Sequence, residues 1–188
     1  SLHSTFSGCK SLRPLPFMDK IITWNGAIPE SLNWELFHLP ICTTLYSQFG
    51  RTSSTGITTA ILPAVTTLEK YWMYNNTTTY IYLRDATTIK ESGFAIYSVK
   101  RIVVIESSSP ATLSYLNDFG FPGTSTIYVP DSAISTYAAA TNWSEIYNRG
   151  DMKGISQLAT DYPEFYAILK GTAEGYEDMA KWGYLADW

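Results

Sequence analysis

Apolar residues along this chain recur at a long period, well beyond the 3.6 or 2 residues of a single amphipathic helix or strand. One marker is an apolar residue followed by proline, at Leu15-Pro16, Leu39-Pro40, Leu62-Pro63 and Val129-Pro130. Leu83-Arg84 and Ile105-Glu106 hold the same place in between, so positions 16, 40, 63, 84, 106 and 130 are separated by 24, 23, 21, 22 and 24 residues. A second marker, Leu2, Ile22, Leu45, Leu68, Ile89 and Leu113, drifts in step at 20, 23, 23, 21 and 24. Two markers that agree on a period in the twenties, both built on Leu and Ile, predict a leucine-rich-repeat solenoid. The fold class expected is α/β: about six turns, each with a short helical or irregular half and then one short strand.

Strands are expected at 34–39, 58–62, 79–83, 101–105 and 126–129, where β-branched and aromatic residues suit a pleated surface. Stacked in parallel roughly 4.8 Å apart, six turns give a sheet about 25 Å long. After Pro130 the period ends. Asp131 is placed to cap a helix carrying Ile134, Tyr137 and Ala138 on one face, which would cover the last turn and bury Tyr137 and Trp143. Residues 148–154 read as a polar connector. A second helix is expected from Asp161, with Phe165, Ile168 and Leu169 on one face and Gly171 just past its end. Thr172 would cap a third, bearing Tyr176, Met179 and Ala180. The chain thus divides into a solenoid at 1–130, a C-terminal cap at 131–158 and a helical tail at 159–188. Trp182, Tyr184 and Trp188 make that tail aromatic, so it should pack on its own solenoid or on a neighbour.

The opening pattern Leu2-x3-Phe6-x2-Cys9-x2-Leu12-x2-Leu15-Pro16 resembles the BspA-like leucine-rich repeats of bacterial surface proteins. The stretch from Ile127-Tyr128-Val129-Pro130 through Tyr137 to Trp143 is similar to the segment that closes such arrays. The resemblance covers roughly residues 1 to 158; between its two ends only Leu45/Phe49 and Ile89/Phe94 keep the Leu-to-Phe part. It implies an extracellular or cell-surface location and a binding or adhesion role, without specifying a ligand.

Composition narrows the function classes. An apolar fraction of 45% with 16% charged residues belongs to a globular chain. The net charge of −4, with no basic cluster larger than Lys100-Arg101, argues against a nucleic-acid surface. No apolar run approaches a transmembrane helix. Cys9 and Cys42 sit at different repeat phases, so each is read as a buried small residue and not as half of a disulfide. The chain opens in mid-repeat without a polar cap, which suggests either a piece of a longer protein or a chosen boundary.

Chemistry is sparse. His3 and His38 are the two histidines; neither lies in a nucleophile motif, and no metal-ligand spacing is present. No enzyme activity, cofactor or metal is therefore expected. Arg149-Gly150-Asp151 spells an integrin-recognition tripeptide but is read as a turn. Asn75, Asn76 and Asn142 match glycosylation acceptors and are given no role. Glu174, Glu177 and Asp178 read as a solvated helix face.

The strands carry the candidate site. With Ile81/Leu83, Ile102/Val104 and Ile127/Val129 directed inward, the outward row becomes His38, Ile61, Tyr82, Val103 and Tyr128, flanked by Tyr80 and Arg101. His38, Ile61, Tyr80, Tyr82, Arg101 and Tyr128 are the candidate ligand-binding residues. This ridge is either a surface for a protein or glycan partner, or ordinary strand chemistry covered by the C-terminal tail. Three classes follow: a non-catalytic binding module, a structural subunit of an assembly such as a virion or surface layer, and an accessory domain of a carbohydrate-processing enzyme. Self-association through the aromatic tail is a further partner expectation.

Overall fold

A computed structural model describes residues 18–24, 36–45, 57–70, 72, 78–90, 100–114, 125–186 and 188. The opening repeat, with His3 and Cys9, lies outside the described residues, as do Phe49, Phe94, Asn75 and Asn76.

The fold is α/β and carries two parallel sheets. Up to residue 129 the chain alternates between them. Two-residue strands β1 (Thr23–Trp24), β3 (Thr44–Leu45), β5 (Thr67–Leu68), β7 (Thr88–Ile89) and β9 (Thr112–Leu113) form a five-stranded sheet in that order. Longer strands β2 (Leu36–His38), β4 (Thr59–Leu62), β6 (Tyr80–Leu83), β8 (Arg101–Ile105), β10 (Ser125–Val129) and β11 (Met152–Gly154) form a six-stranded sheet, with β2 and β11 outermost among the described residues. Every pairing is parallel, and β6, β8 and β10 are adjacent. Both markers acquire a physical meaning here. Leu39, Leu62, Leu83, Ile105 and Val129 line the inner core from the six-stranded sheet; Leu45, Leu68, Ile89 and Leu113 meet them from the five-stranded one.

The second row of strands was not anticipated; two-residue strands are too short to show alternation. Its marker was also misplaced in one turn. Thr23 pairs with Thr44 and Trp24 with Leu45, so Trp24 occupies the column expected for Ile22, which is 61% exposed. Trp24 packs edge-on against Phe37 at 5.4 Å.

Past Val129, a 3-10 turn at Asp131–Ala133 leads into α1 (Ile134–Ala139) and α2 (Trp143–Asn148). Tyr137 and Trp143 are buried at the end of the inner core, as the cap reading required. Their polar tips, with Asn142, take carbonyls beside the last short strand: Tyr137 Oη donates to Ser107 O (3.0 Å), Trp143 Nε1 to Ala111 O (2.7 Å) and Asn142 Nδ2 to Leu113 O (2.7 Å). Buried backbone acceptors need such partners.

Four local expectations are corrected. Asp131 does not cap its helix through its side chain; its carboxylate instead accepts from the backbone N and Oγ of Ser156. The stretch 148–154 is not simply a connector, because β11 within it pairs with β10. The second helix, α4 (Pro163–Lys170), follows a short α3 (Leu158–Asp161) that Asp161 ends rather than starts. Gly171 closes α4 in the left-handed region (φ +67°), as anticipated. Beyond it the chain forms a 3-10 helix at Glu177–Trp182, not an α-helix from Thr172. Among the described residues, no helix is long and apolar enough to cross a membrane.

Candidate functional site

The outer face of the six-stranded sheet holds a second apolar cluster, separate from the inner core. Leu36, Ile61, Tyr82, Ile102, Val104 and Tyr128 contribute from the strands; Ile155, Leu158, Phe165, Leu169, Met179, Tyr184 and Leu185 contribute from the C-terminal segment. The tail therefore folds back over its own sheet.

The register decides which predicted residues share this face. His38 pairs with Ile61, Ile61 with Tyr82, Tyr82 with Val104, and Val104 with Tyr128. Val104, not Val103, belongs to the outward row, and Ile102 faces outward with it; Val103 lies in the inner core. Strand β8 is buried at all five positions, so alternation of polarity gives it no phase. Arg101 follows the alternation of Val103 and Ile105 and is buried, which removes it from the outward patch. Burial lowers the pKa of its guanidinium to about 10.

The remaining candidates point away from the inner core, but not into solvent. Ile61, Tyr82 and Tyr128 are fully buried beneath the tail, and His38 and Tyr80 are half-buried. Tyr80 stacks on Phe165, with ring centroids 4.8 Å apart and planes at 29°. Tyr82 lies 4.8 Å from the Tyr184 ring, and Tyr128 meets Tyr162 edge-on at 6.1 Å.

Polar contacts fix the tail at intervals across the sheet. At β2, His38 Nε2 is 2.8 Å from Tyr184 Oη. Further along, Glu106 accepts from Tyr82 Oη with one oxygen and from the Leu185 backbone N (3.2 Å) with the other. Towards β11, Asp161 accepts from Tyr128 Oη and from Lys153 Nζ, each at 2.7 Å. The hydrogen bonds from Lys153 and Tyr128 hold the Asp161 carboxyl below its usual range. Burial, then the hydrogen bonds to Glu106 and Asp161, push the phenols of Tyr82 and Tyr128 well above theirs. Within the tail, Lys170 Nζ ties α4 to the chain end through Leu185 O (2.8 Å) and Trp188 O (3.3 Å).

Glu106, Asp161 and Lys153 were missed as members of this face. For Glu106 a signal existed, because it and Arg84 stand where the other copies of the marker carry proline. The spacing of Phe165 and Leu169 on one helical face marked the tail as half of an interface without naming the other half.

The other motifs resolve locally. Gly150 takes a φ of +79° at the end of α2, its N donating to Tyr147 O (2.9 Å), and Asp151 N donates to Ile146 O (3.1 Å). Arg149 Nε lies 3.8 Å from Asp151 Oδ2. The tripeptide is a helix-ending turn with its charges directed at one another. Asn142 uses its amide on Leu113 O. Cys42 is a buried free thiol, raised in pKa by burial.

No family model matches the chain, and no curated protein matches it.

Proposed function

We propose that this chain is a leucine-rich-repeat-like solenoid acting as a non-catalytic binding module of a bacterial surface or secreted protein. Its partner is a protein, held on the outer face of the six-stranded sheet. One observation carries the reading: that face already holds a polypeptide, the chain's own C-terminal segment, through Phe165, Leu169, Met179, Tyr184 and Leu185. A surface that seats aliphatic and aromatic anchors from a helical segment, with the Glu106 carboxylate taking a backbone donor of that segment and the Tyr128 phenol donating to its Asp161, has the makeup of a helix-in-groove site. This occupant favours a protein over a glycan. A partner segment of similar pattern competes with the tail, so the tail sets the threshold for binding.

Binding of a labelled peptide of residues 159–188 to the full chain tests this. Leu185 is fully buried on the face, and a Leu185→Glu variant cannot seat its own tail without burying a charge. The variant is expected to bind the peptide at least tenfold more tightly than the unaltered chain, and Tyr82→Phe in the variant should weaken that binding. Absence of binding to the variant, or equal affinity for both chains, would contradict the reading.

A further inference from the structure

We propose that residues 176–188 form a strap that leaves the sheet at acidic pH, with His38 as the group that senses the proton. The proposal rests on reading this face as a docking surface, and adds the signal that clears it.

His38 is half-buried on β2, the outermost strand on that side of the sheet among the described residues, and is where the strap's aromatic end is seated. Its ring is met edge-on by Trp182 (centroids 5.6 Å, planes at 80°) and Tyr184 (5.8 Å, 87°), besides the 2.8 Å contact to Tyr184 Oη. The strap also brings a cation: Lys181 raises the cost of a proton on His38, and Asp19, from the 3-10 turn Met18–Lys20, offsets part of it. These are the charged and titratable groups that face His38 among the described residues. Burial first, then Lys181, lower its pKa from 6.5 to about 4.

The sign follows from linkage. A lowered histidine pKa means that the released strap leaves His38 a better base than the seated one. Seating is therefore at full strength above pH 6.5 and weakens as pH falls towards 4. Over that window a difference between 6.5 and about 4 shifts the seating equilibrium roughly a hundredfold. The backbone is suited to release: Gly183 and Leu185 both adopt positive φ (61° and 53°), and such a conformation in a leucine is held only by its surroundings. In the seated strap those surroundings are the Glu106 contact to Leu185 N and the Lys170 contact to Leu185 O.

Hydrogen exchange on the full chain, expressed as protection relative to intrinsic rates, is read for residues 176–188 between pH 7 and pH 4. Strap protection is expected to fall by about a hundredfold while β6 and β8 stay protected. In His38→Phe, which keeps a ring but cannot titrate, it should change less than about threefold. In Lys181→Gln the pH dependence should shrink, because part of what keeps His38 neutral is gone; if His38→Phe does not fold, this variant decides alone. An identical fall in His38→Phe, an unchanged profile in Lys181→Gln, or simultaneous loss of protection in β6 and β8 would overturn the proposal. Failure here leaves the peptide-binding experiment untouched, and failure of peptide binding leaves the exchange profile readable.

Discussion

Tyr82 has one ring between two layers. Its backbone is in the middle of the sheet, its ring is fully buried against Tyr184, and its hydroxyl reaches Glu106. A side chain on an open face could be truncated cheaply, but a buried aromatic cannot: Tyr82→Ala should cost about 3–5 kcal/mol in unfolding free energy. Tyr82→Phe keeps the ring and deletes one hydrogen bond to a carboxylate, at about 1.5–3 kcal/mol. Urea unfolding of both variants checks this. A loss below about 0.5 kcal/mol for Tyr82→Ala, the usual range for a surface change, would place the ring in solvent. At this scale the sequence told residue type better than surroundings. His38, Ile61, Tyr82 and Tyr128 were recognisable as outward because their strands alternate, but whether outward meant water depended on a segment up to 146 residues away.

Among the elements, legibility followed strand length and phase. The inward residues of β6 and β10 could be read directly, since Ile81/Leu83 and Ile127/Val129 flank tyrosines. Strand β8 offered Arg-Ile-Val-Val-Ile, apolar on both faces, and was read one residue out of phase. The first marker held the correction, because Leu83 to Ile105 is a step of 22 and carries Tyr82 to Val104. The short strands were visible only as a column of Leu and Ile. The cap was legible through Tyr137 and Trp143, which bury in the inner core, whereas Tyr147 of α2 stays exposed. Trp143→Phe tests its polar part. The variant fills most of the space but leaves Ala111 O without the indole donor, so a loss of about 1–3 kcal/mol is expected, with exchange protection falling first in β9. A neutral substitution would mean that the carbonyl is satisfied by water and that the cap holds by packing alone.

For the whole molecule, two apolar clusters share one sheet. The inner core joins the two sheets and runs to the cap; the outer cluster joins the six-stranded sheet to the tail. The functional account depends on the second, because a face filled in cis is both a demonstration of what it can hold and a competitor for anything else. The Tyr80–Phe165 stack reports on that seating most directly, since it joins a strand residue to α4 and Tyr80 is only half-buried, so that truncation leaves the sheet intact. A double-mutant cycle of Tyr80→Ala and Phe165→Ala, read by urea unfolding at several protein concentrations, measures their coupling. The account predicts a coupling of about 0.5–1.5 kcal/mol, independent of concentration. Additive effects, within about 0.3–0.5 kcal/mol, or a coupling that grows with concentration, would contradict a tail seated on its own sheet.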